Sequence, residues 1–430
     1  MTLAKSGTIL LAGTMIGNIS NYLFQFYMGK SLSIEDYGAM NAVFSMLVIV
    51  AVPSTTIMLV VARYVSRFRT NGEWDKISAL ARSSLIKMAM LGGVFFLPFL
   101  IFRGPIAGYL RISSTVPVVI VGIGVFSAFI ITVNFGVLQG LQKFYSFGAG
   151  MGMTGLLKLG FGVALVITGF GLNGATASLT MASLAVFAVT TVPIAAFYRK
   201  GAIGALVERH TREIVGYSVP VLLSTVAFSA LTNLDIILVK HYFPAMDAGL
   251  YAGMAILGRT ILYLPAAFVL ALFPIVSGSK ESDESTFRIL DKALFYTVTI
   301  SIAGVLLFAV FPDEIIRLSF GGRFLAVAPL LKYYALAMGL MAVTSVLISF
   351  NLARNRTGFI YVLAGGCAAL FVLLKSFHGG LFAVVLSIMI VNFVMAVTQL
   401  FMTYRERRAI VRIKNGRGAD EKVGFYNYPG

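Results

Sequence analysis

SVPVLLSTVAFSALTNLDIILVKHYFPAMDAGLYAGMAILGRTILYLP, residues 218–265, decides the fold. It reads as two apolar segments joined by a tight turn, each able to cross a hydrocarbon core about 30 Å thick. Each segment also carries a charge at depth, Asp235 in the outer part of the first and Arg259 near the middle of the second. On insertion scales such a charge costs about 2.5–3.5 kcal/mol at a helix centre. Residues that bear this cost face a bundle interior or an aqueous cavity, which makes both functional candidates.

The rest of the chain repeats the pattern. Of 430 residues 58% are hydrophobic and only 12% charged, with a mean hydropathy of +0.90. A soluble domain carries about 25% charged residues. The reading is an all-α polytopic membrane protein. One cysteine, Cys367, excludes an internal disulfide, and three scattered histidines offer no metal-ligand spacing. The net charge of +17 would suggest nucleic acid in a soluble protein. Here the cations sit between apolar segments, so a nucleic-acid partner is discounted.

Twelve transmembrane helices are expected: 7–29, 37–62, 84–102, 116–138, 148–168, 174–197, 215–239, 248–276, 292–311, 326–350, 357–374 and 380–403. The first is too long for the apolar core of a signal peptide and carries Asn18, Asn21 and Gln25. With a cytoplasmic N-terminus, twenty-four Lys and Arg fall on the inner side and seven on the outer. Positive-inside bias therefore places both termini in the cytoplasm. The domain reading is an N-terminal six-helix lobe over 1–200, a linker over 201–213, a second lobe over 214–404, and a basic tail over 405–430.

The halves resemble one another at an offset of about 212 residues. Asn21 falls on Asn233, Glu35 on Asp247 and Pro53 on Pro265. Two pseudo-symmetric repeats predict a central cavity between them near the midplane. The two prolines free backbone carbonyls and can kink their helices, or else serve packing alone.

Within that frame Lys158 lies about 15 Å into the fifth span and Arg259 about as deep in the eighth. Either cation suits an anionic group at mid-membrane. Asn18, Asn21 and Gln25, three and four residues apart, share one helix face. They form either a cavity lining or interhelical hydrogen bonds. Asn134 and Gln139 are weaker candidates near the interface. Asp235 has three open readings: an ion pair with Arg259 or Lys158, a protonation or cation site, or a carboxylate satisfied by a neighbouring helix.

The segments IEDYGAMNAVFSML (34–47), NLDIILVKHYF (233–243) and FGGRFLAVAPLLKYYALA (320–337), in a chain of two six-span halves, resemble the oligosaccharide flippases. These form the polysaccharide-transport branch of the multidrug/oligosaccharidyl-lipid/polysaccharide exporter superfamily. The resemblance implies a bundle that alternates between inward-open and outward-open states in the cell (inner) membrane. It also implies a cargo, a polyprenyl-diphosphate-linked oligosaccharide moved to the outer leaflet for surface polysaccharide synthesis. Such proteins work among membrane lipids and beside polymerases and chain-length regulators. No cofactor is expected, while coupling to H+, Na+ or the membrane potential stays open. The rival within the superfamily is a cation-coupled multidrug antiporter. A membrane glycan polymerase or ligase is the rival of another class, and the short external loops speak against it.

Overall fold

The computed structural model describes residues 3–199, 211–265, 283–354 and 356–424. Among these every regular element is a helix. In order they are α1 (Leu3–Ser31), α2 (Ile34–Thr70), α3 (Trp74–Ile101), the short α4 (Arg103–Tyr109), α5 (Val116–Gly140), α6 (Phe144–Ile167), α7 (Gly171–Thr191) and α8 (Ala195–Arg199). After these come α9 (Thr211–Leu231), α10 (Leu234–Tyr242), α11 (Ala245–Tyr263), α12 (Asp283–Val310), α13 (Pro312–Phe320), α14 (Ala328–Ala353), α15 (Phe359–Ser376) and α16 (Leu381–Gly424).

Ten helical segments among the described residues are long and apolar enough to cross a membrane. Of the twelve expected spans, the first lies within α1, and the eighth extends beyond Pro265, outside the described residues. The outward faces fit hydrocarbon rather than water. On α3, Met90, Val94, Leu97 and Ile101 are exposed at helical spacing. An apolar outer face of that kind is stable only where lipid covers it.

Some helix starts among the described residues fall at the offset expected from the sequence. Val116 opens α5, and Ala328, 212 residues on, opens α14. Short α4 has its counterpart in short α13. The departure is at α1, which is unbroken, whereas its counterpart is split into α9 and α10 at Thr232–Asn233. Asn233 caps α10 with φ −136° and ψ −21°. Its amide donates to the Ser229 carbonyl at 2.9 Å, one of the local bonds by which Asn competes with helical pairing.

Two compact units are built from these helices, residues 1–256 with 313–327, and residues 257–312 with 328–430. In the first, helix directions follow from the contacts. Glycines at 13 and 17 on α1 meet 148 and 155 on α6, and Phe24 meets Gly162. Numbers rise together, so α1 and α6 are parallel. Val61 and Val65 of α2 meet Gly136 and Gly140 of α5, again in parallel. Gly92 meets Phe129 while Gly122 meets Phe99, so α3 runs against α5. In the second unit, Phe287 and Leu290 of α12 pack on Val346, Leu347 and Phe350 of α14. The Asn392 amide of α16 donates to the Ala337 carbonyl of α14 at 2.9 Å.

The segment 313–327 joins the first unit through the C-terminal end of α1. Arg323 Nη2 donates to the carbonyls of Gly29, Lys30 and Leu32 at 2.9, 2.8 and 3.2 Å. Lys30 Nζ donates back to the Leu318 carbonyl at 2.9 Å. Below this exchange Phe320 lies against Phe26, Tyr37 and Phe324 with ring centroids 5.1–5.6 Å apart. The last carbonyls of a helix lack intrahelical donors, and a guanidinium both bonds them and opposes the negative end of the dipole. Arg323→Ala is expected to lower stability by about 1–2 kcal/mol, with Arg323→Lys intermediate because its ammonium still donates. Thermal unfolding of the purified variants checks this; equal midpoints for all three proteins would contradict it.

Candidate functional site

Lys158 stands fourteen residues into α6, about 21 Å along a helix about 36 Å long at 1.5 Å per residue. Its position is set by glycine. A Cβ on Gly155 would lie 2.5 Å from the Gly17 carbonyl oxygen, and one on Gly17 would lie 2.9 Å from that of Met151. The two backbones therefore touch, as small residues permit in membranes. One turn further on, Asn21 of α1 and Lys158 of α6 are brought face to face.

The lysine is 7% exposed. Its Nζ donates to Asn21 Oδ1 at 3.1 Å. It also lies 4.2 Å from the Phe24 ring centroid and 5.1 Å from that of Phe44. Among the described residues no carboxylate pairs with it. A desolvated cation over aromatic faces gains about 2 kcal/mol or more, comparable with its insertion cost of about 3 kcal/mol. The cage thus offsets burial without neutralising the charge, so Lys158 can still attract an anion.

The amides around it take different parts. Asn18 and Asn21 are exposed on α1, Asn21 accepting from the lysine. Gln25 is drawn into a tie to α2: Tyr37 Oη donates to its Oε1 at 3.0 Å, and its Nε2 donates to Asn41 Oδ1 at 3.2 Å. Asn41 Nδ2 in turn donates to the Tyr37 carbonyl at 2.9 Å. Asn134 is wholly structural. Its amide nitrogen donates to the Phe187 carbonyl and to Thr190 and Thr191, and its oxygen accepts from Tyr198. Gln139 has a buried Oε1 without a hydrogen-bond partner.

Asp235 is 2% exposed in the first turn of α10. The break at Thr232–Asn233 aims the positive end of the α10 dipole toward it. Tyr251 Oη of α11 donates to its Oδ2 at 2.8 Å. Asn233, 8% exposed, is held by Ser229 and Thr232. Arg259 is 6% exposed on α11 and belongs to the second unit, whereas Lys158 and Asp235 belong to the first. Pro53 lies inside α2, and Pro265 is buried just past the end of α11.

The sequence reading assigns no site role to Tyr37, Asn41, Tyr251 or Arg323. A signal was present for one pair: Tyr37 and Asn41 are four apart at the head of α2, in an otherwise apolar run. Tyr251 gains its role from Asp235 on the preceding helix, sixteen residues away, and Arg323 from α1, nearly three hundred residues earlier.

Residues 3–280 match the family described as polysaccharide biosynthesis protein. No curated protein matches the chain. Among solved structures, it is similar to a multidrug resistance MATE family transporter of the MOP superfamily in its inward-facing conformation. That likeness has a TM-score of 0.75 at 13% identity, covering 94% of this chain and 98% of the other. The lipid II flippase MurJ gives a TM-score of 0.70 at 16% identity, covering 92% and 87%. An outward-facing MATE family transporter gives 0.64 at 15%, covering 95% and 96%. At these identities the likeness establishes the fold they share.

Proposed function

We propose that this chain, which belongs to the family of polysaccharide biosynthesis proteins, is a flippase for a polyprenyl-diphosphate-linked oligosaccharide. The superfamily expected from the sequence is the one to which its structural neighbours belong, and the chain is a multi-pass membrane transporter of that kind. The proposal adds the cargo, its direction from the cytoplasmic to the outer leaflet, and alternating access as the means. It also places the protein in the inner membrane with both termini cytoplasmic, near polymerase and chain-length machinery.

Lys158 carries this reading. A diphosphate needs a cation that no carboxylate has claimed, held where water is scarce and electrostatics are strong. Lys158 meets both conditions at mid-membrane depth. Beside it, Asn18 and Asn21 supply amides of the type that hydrogen-bond sugar hydroxyls.

Asp235 favours a second reading. A buried carboxylate on a chain folded like multidrug transporters suits cation-coupled drug antiport, with Asp235 as the coupling group. The two readings separate in liposomes. The purified protein is reconstituted once with a labelled polyprenyl-diphosphate oligosaccharide and once with a cationic dye under an imposed H+ or Na+ gradient. Transfer of the lipid-linked sugar between leaflets supports the flippase. Gradient-driven dye export without sugar transfer would replace it with the antiporter.

A further inference from the structure

The second unit holds a cavity of mixed polar and apolar lining that neither cargo reading uses. It has a volume of about 520 Å³ and is lined by Asn351, Arg356, Gln399, Thr403, Arg405 and Glu406, among others. It sits where α14 ends, α15 begins and the apolar part of α16 gives way to Arg-Glu-Arg-Arg at 405–408. That transition marks the level of lipid headgroups.

Its floor is unsatisfied. Gln399 is 1% exposed and Thr403 2% exposed. Both amide atoms of Gln399 and the Thr403 hydroxyl are buried without a hydrogen-bond partner. Buried polar groups in native proteins have partners, and each exception calls for one. With Glu406 Oε1, whose nearest cation is Arg354 at 3.6 Å, four such atoms belong to residues lining one cavity, and together they suit a ligand that both donates and accepts.

The rim is cationic. Glu406 is shared by Arg356 and Arg354, the latter at 3.6 Å. Arg407 is engaged by Asp291 at 2.9 Å. Arg405 is exposed and has no carboxylate partner among the described residues. The rim therefore has positive charge to offer, and a guanidinium prefers phosphate.

The volume also discriminates. A single water occupies about 30 Å³, whereas ligand pockets begin at about 300 Å³. This cavity is the size of a headgroup.

We infer that the cavity binds a phosphate ester bearing free hydroxyls, with the phosphate on Arg405 and Arg356 and the hydroxyls on Gln399 and Thr403. An anionic phospholipid with a glycerol headgroup has this chemistry, and so does the diphosphate glycan of the proposed cargo. Basic pockets between helices at a membrane surface are sites of this kind. The site does not depend on the flippase reading, which enters only through the second source.

Native mass spectrometry of the full chain, released from phosphatidylcholine nanodiscs doped with phosphatidylglycerol, tests the site. Wild type should retain phosphatidylglycerol and lose phosphatidylcholine. Arg405→Ala, at an exposed position, should weaken retention about tenfold, the loss of one charge-assisted contact. Gln399→Leu should weaken it similarly and, by removing an unpaired buried amide, raise the unfolding temperature of the lipid-free protein. The lipid-linked oligosaccharide is then added as competitor. Displacement of phosphatidylglycerol from wild type assigns the cavity to cargo, and no displacement assigns it to phospholipid. Equal retention by wild type and both variants, or equal retention of the two phospholipids, would overturn the site and leave a water-filled cavity.

Discussion

Lys158→Met is expected to cut leaflet-to-leaflet transfer of a polyprenyl-diphosphate oligosaccharide by about ten- to a hundredfold, the worth of one or two charge-assisted hydrogen bonds to phosphate. The same substitution should leave the protein no less stable. A lysine 7% exposed carries a desolvation cost that the aromatic cage only offsets, and methionine fills the same space with sulfur against Phe24 and Phe44. Loss of transport with unchanged or raised thermal midpoint is the signature of a residue retained for its charge. Lys158→Arg keeps the charge in a bulkier form and should retain part of the activity. Transfer by Lys158→Met at the wild-type rate would move the phosphate site elsewhere, with Arg259 the next residue to test.

The largest structural effect is expected at Gly155. A leucine there would set its Cβ 2.5 Å from the Gly17 carbonyl oxygen, and a backbone atom cannot turn aside as a side chain can. Overpacking of a core costs about 1–3 kcal/mol, and more where backbone must move. Here α1 and α6 must separate, which also breaks the bond from Lys158 to Asn21. Gly155→Leu should therefore lose about 3 kcal/mol or more, seen as loss of the monodisperse peak on size-exclusion chromatography after mild heating. Gly160, on the same helix, has nothing within 4 Å of an added Cβ. Gly160→Leu is the control and should elute like wild type; if both variants behave alike, backbone contact is not what holds α1 to α6.

How much of this was legible beforehand depended on how local each signal was. Membrane helices are declared by runs of apolar residues, so the all-helical bundle could be read directly, and α5 and α14 start 212 residues apart. Buried charge in an apolar run is equally local, which is why Lys158, Asp235 and Arg259 stood out. Their partners are another matter. Phe24 and Phe44 reach Lys158 from helices more than a hundred residues earlier, and no periodicity announces a cation between two rings. The break at Thr232–Asn233 was hidden because Leu-Thr-Asn-Leu suits an intact helix as well, as Ser20 and Asn21 show inside unbroken α1. Gln25 shares a helix face with Asn18 and Asn21, yet Tyr37 and Asn41 draw it into a structural tie. Arg323 counted in the sequence only as an outer-side cation against the positive-inside trend. Its cause is the set of bare carbonyls at the end of α1.

The partnership of α1 with α6 also sets a timetable for synthesis. Asn21 and Lys158 lie 137 residues apart, and a ribosome adding about 5–20 residues per second needs on the order of ten seconds to bridge them. Through that interval α1, with its three amides and its glycine face, waits in or beside the insertion machinery without its companion. When α6 arrives, its lysine enters a bilayer in which Asn21 and Phe24 are already present. The order of the two helices along the chain thus lets the first act as a docking surface that admits a charge into the membrane.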